Sequence, residues 1–68
     1  MIARVLEKAA RVLEKAEGPM RAREIHAAAE QLAGGTLHWT SVKAALAAGV
    51  CGGRPRFRRI RYGVYELA

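Results

Sequence analysis

Apolar residues recur every three or four positions over the first seventeen residues. Ile2, Val5, Leu6, Ala9, Val12, Leu13 and Ala16 fall on one helical face, and Arg4, Glu7, Lys8, Arg11, Glu14 and Lys15 on the other. Residues 3–9 and 10–16 are one heptad written twice, Ala-Arg-Val-Leu-Glu-Lys-Ala. Two heptads are too few for a coiled coil, and three apolar positions in seven make a stripe wider than a simple seam. The pattern therefore predicts a first helix, about 2–17, packed on its own domain, with a dimer face as the alternative. Gly18 and Pro19 should end it, because glycine closes a helix and proline cannot continue one. Met20 should then be extended and point inward. Ile25, Ala28, Ala29 and Leu32 repeat the helical spacing and predict a second helix, about 22–33, stopped by Gly34 and Gly35. Val42, Ala45 and Leu46 predict a third, about 41–48, with Thr40 or Ser41 as N-cap and Gly49 as its stop.

The periodicity changes after a glycine-rich connection at 50–54. Phe57, Ile60, Val64, Tyr65 and Leu67 supply strand-forming bulk, and the segment 56–67 reads as a β-hairpin. Gly63 suits the left-handed position of a three-residue loop, Arg61-Tyr62-Gly63. That loop sets Ile60 opposite Val64, Arg59 opposite Tyr65, Arg58 opposite Glu66, and Phe57 opposite Leu67. Phe57 and Leu67 should then enter the core, Arg58 should pair with Glu66 on the outer face, and Ile60 and Val64 should lie outside near the tip. Three helices followed by a hairpin wing make an α+β chain, a winged helix-turn-helix.

Length and charge narrow the function. Sixty-eight residues make one small domain, with roughly 60% of the unfolded surface buried on folding. The longest run of apolar residues and glycine, Ala44 to Gly53, is far short of the roughly 20 residues that span a bilayer. Met1-Ile2-Ala3-Arg4 leads straight into the amphipathic pattern, so no signal peptide and no membrane partner are expected. The single cysteine leaves no intrachain disulfide, which fits a reducing compartment or indifference to redox. The net charge of +6 is one-sided: residues 1–39 hold six Lys/Arg and five Glu, residues 40–68 six Lys/Arg and one Glu. A basic C-terminal half beside a nearly neutral one points to a polyanion-binding surface.

Two stretches resemble a known family. Val12-Leu13-Glu14-Lys15-Ala16-Glu17-Gly18-Pro19-Met20, followed by Glu24-Ile25, resembles the opening of the HARE-type winged helix domain. Arg56-Phe57-Arg58-Arg59, then Gly63-Val64-Tyr65-Glu66-Leu67, resembles its closing wing. The resemblance covers residues 10–68. It implies a DNA-binding or chromatin-targeting module, of a kind found fused to restriction endonucleases, chromatin proteins and a bacterial RNA polymerase subunit, and linked to sensing cytosine modification. A monomeric domain serving a fused or associated nuclease or other protein is the corresponding expectation. Its compartment would be the cytoplasm, at the nucleoid in a bacterium, or the nucleus in a eukaryote.

Double-stranded DNA is thus the expected partner. Guanidinium groups neutralise phosphates and fork onto guanine, which makes Arg54, Arg56, Arg59 and Arg61 the leading contacts. Arg54, Arg56 and Arg61 should be the freest, whereas Arg59 has the alternative of lying over the Tyr65 ring. Tyr62 at the wing tip should reach sugar or phosphate. Helix 3 is the expected recognition helix. It offers Thr40, Ser41 and Lys43 as hydrogen-bonding groups, while Ala44, Ala47 and Ala48 are small enough to let it sit close to DNA. Arg21 and Arg23, at the start of helix 2, can face the backbone. Trp39 is expected in the core, with stacking on a base as the alternative. His26 is expected on the outer side of helix 2 and His38 in a loop. With Cys51 they match no zinc spacing, and no aspartate is present to complete a thiol triad, so no metal, cofactor or catalytic role is expected. The competing reading is a protein-interaction winged helix docking on a polymerase or chromatin partner. Single-stranded RNA binding ranks third, for want of exposed aromatic platforms.

Overall fold

The computed structural model describes residues 2–68. Helix α1 runs Ile2–Ala16, a two-residue strand β1 Met20–Arg21, α2 Ala22–Ala33, α3 Trp39–Val50, β2 Phe57–Arg61 and β3 Val64–Leu67. This is the expected α+β layout, a winged helix-turn-helix. The wing gains one strand, because β1 pairs with β3 and the sheet order is β1-β3-β2.

α1 buries Val5, Ala9, Val12 and Leu13 as its spacing requires, and leaves Arg4, Glu7, Arg11, Glu14 and Lys15 in water. Ala10 is also buried and Ala16 is exposed, a shift from the expected stripe. Packing of α1 against both α2 and α3 widens the covered face to include Ala10, while Ala16 is the last residue of the helix. Ile2 lies outside the residues whose side chains are described. The stop is made at Glu17, which adopts a left-handed φ of 57°, one residue before the expected Gly18. Such a conformation costs a residue with a Cβ roughly 1–2 kcal/mol.

α2 begins and ends where its spacing predicts. The Glu24 carboxylate accepts the Arg21 backbone N–H at 2.9 Å, and the Ala22 N–H reaches the Gly63 carbonyl at 2.8 Å. At the other end Gly34 is left-handed and donates to Glu30 O at 2.9 Å. Ile25 and Ala29 are fully buried and Ala28 packs on the core. Leu32, expected in the same stripe, is 40% exposed, at an open groove that it shares with Val12, Ala16 and Met20.

α3 extends two residues beyond its expected bounds at each end. His38 is the N-cap residue, so Thr40 and Ser41 lie in the first turn and do not cap it. Gly49 does not stop the helix. It is buried within it, because the Phe57 ring lies on its Cα: an added Cβ would fall 2.5 Å from Cε2 and 3.2 Å from Cγ. Phe57, 1% exposed, is thus the joint between α3 and the wing.

The wing keeps three of its four expected pairs, Phe57–Leu67, Arg58–Glu66 and Arg59–Tyr65. The fourth is Arg61–Val64, with Ile60 as an extra, bulged residue. The connection shortens to Tyr62-Gly63, and Gly63 supplies the left-handed φ of 74°. Leu67 does not enter the core; it is 36% exposed at the end of its strand. Tyr65 packs there instead, beside Met20, its partner across the β1–β3 pair.

Candidate nucleic-acid interface

Sheet pairing places the arginines. Residues directly opposite one another share a face, and successive residues alternate. Phe57, Arg59, Tyr65 and Met20 belong to the inner face, and Arg58, Glu66, Val64, Arg61 and Arg21 to the outer one. Arg21 pairs with Val64, and Val64 with Arg61. Arg21 therefore stands in one row with Arg61, about 10 Å away at two strand spacings. The sequence alone gave no reason to join these two, because the strand carrying Arg21 exists only through its partner.

Two wing arginines are already engaged. The Arg58 Nε donates to Glu66 Oε2 at 2.9 Å, the expected cross-strand pair. Arg56, expected among the freest, instead forks onto Glu7 of α1, with Nη1 2.8 Å from Oε2 and Nη2 3.4 Å from Oε1. The hydrogen bond and then the charge of Arg56 hold the Glu7 carboxyl below its ordinary range, and the same pair raises the Arg56 guanidinium. Glu7 lies forty-nine positions away, and only the packing of α1 against α3 and β3 brings it within reach of the segment leading into β2. Among the described residues Arg54, Arg59 and Arg61 are exposed and have no carboxylate partner. Arg23 is exposed beside Arg21, and Tyr62 is 94% exposed at the wing tip.

α3 turns Thr40, Lys43, Ala44, Ala47 and Ala48 outward, with Ser41 half-buried, which is the expected face. No acidic residue occurs anywhere from 31 to 65, so α3 and β2 share a carboxylate-free stretch of chain, and Glu66 on β3 is the one carboxylate of the wing. Between α3 and the sheet lies an open wedge of about 570 Å³, lined by Ala47, Val50 and Cys51 on one side and Phe57, Arg58 and Arg59 on the other.

The start of α3 is held by a clamp that sequence reasoning missed. His26 Nε2 donates to Leu37 O at 2.6 Å, and the Leu37 N–H donates to Glu30 Oε2 at 2.8 Å. Two side chains one turn apart on α2 thereby satisfy both backbone groups of one loop residue. The i, i+4 spacing of His26 and Glu30 was the available signal. Trp39 is 37% exposed and so is not a core residue. Its ring meets His26 edge-on, with centroids 5.4 Å apart, and the Lys43 ammonium lies 6.0 Å from the ring centre. That Lys43–Trp39 contact is the cation–ring pair among the described residues, in place of Arg59 over Tyr65.

No described helix is long and apolar enough to cross a membrane. No protein-family model, no curated protein and no solved structure matches the chain.

Proposed function

We propose that this domain binds double-stranded DNA, as a targeting module of the HARE type for a larger protein such as a modification-dependent nuclease. The observation that carries the reading is the set of exposed arginines without a carboxylate partner, Arg54 ahead of the wing, Arg59 and Arg61 on it and Arg21 in one row with Arg61, with α3 beside them free of carboxylates. α3 would dock in or over the major groove. Its alanines permit close approach but offer no donor or acceptor, so Thr40, Ser41 and Lys43 are the groups left to reach base edges or phosphates. Affinity would come from phosphate neutralisation by the arginines, with Tyr62 reaching the sugar-phosphate chain beside Arg61.

The test is a fluorescence-anisotropy titration of a short duplex at several salt concentrations. Four arginines each neutralising one phosphate give a log–log slope of about −3.6, at about −0.9 per phosphate. Replacing Arg59 and Arg61 together by alanine should flatten it by about 1.8 with unchanged helix content. A salt-independent affinity would sink the reading. Matched duplexes carrying cytosine, 5-methylcytosine and 5-hydroxymethylcytosine test the modification-sensing part separately.

A further inference from the structure

α3 carries one cation, Lys43, and its position is set by neighbours. The Lys43 ammonium lies 6.0 Å from the centre of the Trp39 ring, one helical turn back along α3. Trp39 in turn meets His26 edge-on, with ring centroids 5.4 Å apart. His26 is itself fixed, because its Nε2 donates to Leu37 O at 2.6 Å. A chain of contacts therefore runs from α2 to the lysine. Among the described residues Lys43 has no carboxylate partner to draw it elsewhere.

Its place on the helix gives it a direction. Trp39, Lys43 and Ala47 are spaced by four and share one face of α3. Ala47 lines the wedge whose other wall carries Arg58 and Arg59. The stripe thus looks to the side of the wing arginines. A lysine free in solvent would stretch to the phosphates that flank a groove. One folded back over the ring a turn behind it keeps its ammonium close to the helix and near the N-terminal end, the part of a recognition helix that meets base edges. An ammonium has donors and no acceptor. In the major groove guanine presents two neighbouring acceptors, N7 and O6, whereas adenine sets a donor beside its N7, cytosine offers a donor, and thymine one acceptor beside a methyl group. Guanine is the base that matches. The neighbours Ala44, Ala47 and Ala48 add no donor of their own.

We infer that Lys43 is the specificity-determining residue of α3, donating to N7 and O6 of a guanine, and that Trp39 is its positioning residue. The inference rests on the duplex reading and takes it from backbone contact to a base.

The experiment uses the whole chain, a G·C-rich duplex, and the same duplex with every guanine replaced by 7-deazaguanine, which lacks the N7 acceptor and keeps Watson–Crick pairing. Fluorescence anisotropy measures both affinities at several salt concentrations. The parent should bind the guanine duplex about tenfold more tightly. Lys43→Ala should bind the two alike, and Lys43→Arg, which also donates to N7 and O6, should restore the difference. Trp39→Leu should shrink the difference to about threefold and leave the salt slope, which counts phosphates neutralised, unchanged. Trp39→Phe keeps a ring under the ammonium and should preserve the difference. Circular dichroism should show parental helix content in each variant. A parent that binds both duplexes equally, with a steep salt slope, overturns the inference and leaves duplex binding standing. A difference that survives Lys43→Ala overturns it by assigning guanine to the wing; if the slope also flattens by about 0.9, Lys43 is a phosphate contact. Absence of binding to either duplex at any salt concentration overturns the inference and the duplex reading together.

Discussion

Gly49→Ala tests the joint on which the wing depends. In a helix interior this exchange ordinarily stabilises by about 1 kcal/mol, because alanine loses less backbone freedom on folding. Here the new Cβ would lie 2.5 Å from Phe57 Cε2 and 3.2 Å from Cγ, so it meets the body of the ring and not a flexible tip. Phe57 is buried in the core and cannot swing into solvent without leaving it. Overpacking of this kind costs about 3 kcal/mol at the upper end of its usual range, which leaves a net loss of about 2 kcal/mol. A domain of this length has roughly 3–10 kcal/mol of stability in all, and the melting temperature should fall by about 8–16 °C. Thermal and urea unfolding followed by circular dichroism measure it. Gly35→Ala is the control: it has open space around it and no left-handed φ, and should stabilise by about 0.4–1 kcal/mol. Adding Phe57→Leu to Gly49→Ala should cost less than the two changes separately, with a coupling of about 1 kcal/mol or more. A Gly49→Ala protein as stable as the parent would refute the close approach of α3 and wing.

Glu7→Gln removes the pair with Arg56. Because Arg56 lowers the Glu7 carboxyl in the folded chain, the pair stabilises above the ordinary carboxylate range, and that stabilisation is lost as pH falls through the lowered folded value. Urea unfolding at neutral pH and well below the carboxylate range should show the parent losing more stability than the variant, by the small amount an exposed, salt-screened pair allows; equal losses would discount it. The same variant frees Arg56, and under the duplex reading its salt slope should steepen by up to about 0.9. Glu30→Ala unties the loop ahead of α3 and should cost about 1 kcal/mol, measured by urea unfolding with Trp39 fluorescence as the reporter; an unchanged midpoint would mean the clamp does not hold the loop.

The parts legible in the sequence were those with a local cause. The heptad repeat sets the face of α1, Ile25 and Ala29 set that of α2, and Gly34 ends it. Alternation in the wing fixed three strand pairs and the Arg58–Glu66 contact. Where the local signal pointed both ways, it misled. Gly49 looks like a helix stop, and Thr40 and Ser41 look like caps, because glycine and hydroxyl side chains commonly do those jobs. Neither local rule registers an aromatic ring arriving from another element, or a loop tied down by His26 and Glu30.

The order of elements, the one-sided charge and the positions of the arginines follow from the sequence alone, since periodicity and composition are properties of neighbouring residues. Only the tertiary structure decided which arginines are spent. Glu7 captures Arg56 across forty-nine positions, and β1 exists because β3 lies beside Met20 and Arg21. Those contacts are made between segments distant in the chain, and no local pattern encodes the distance between them. The surface left unpaired at the wing, Arg54, Arg59 and Arg61 joined by Arg21, is therefore a consequence of packing as much as of composition.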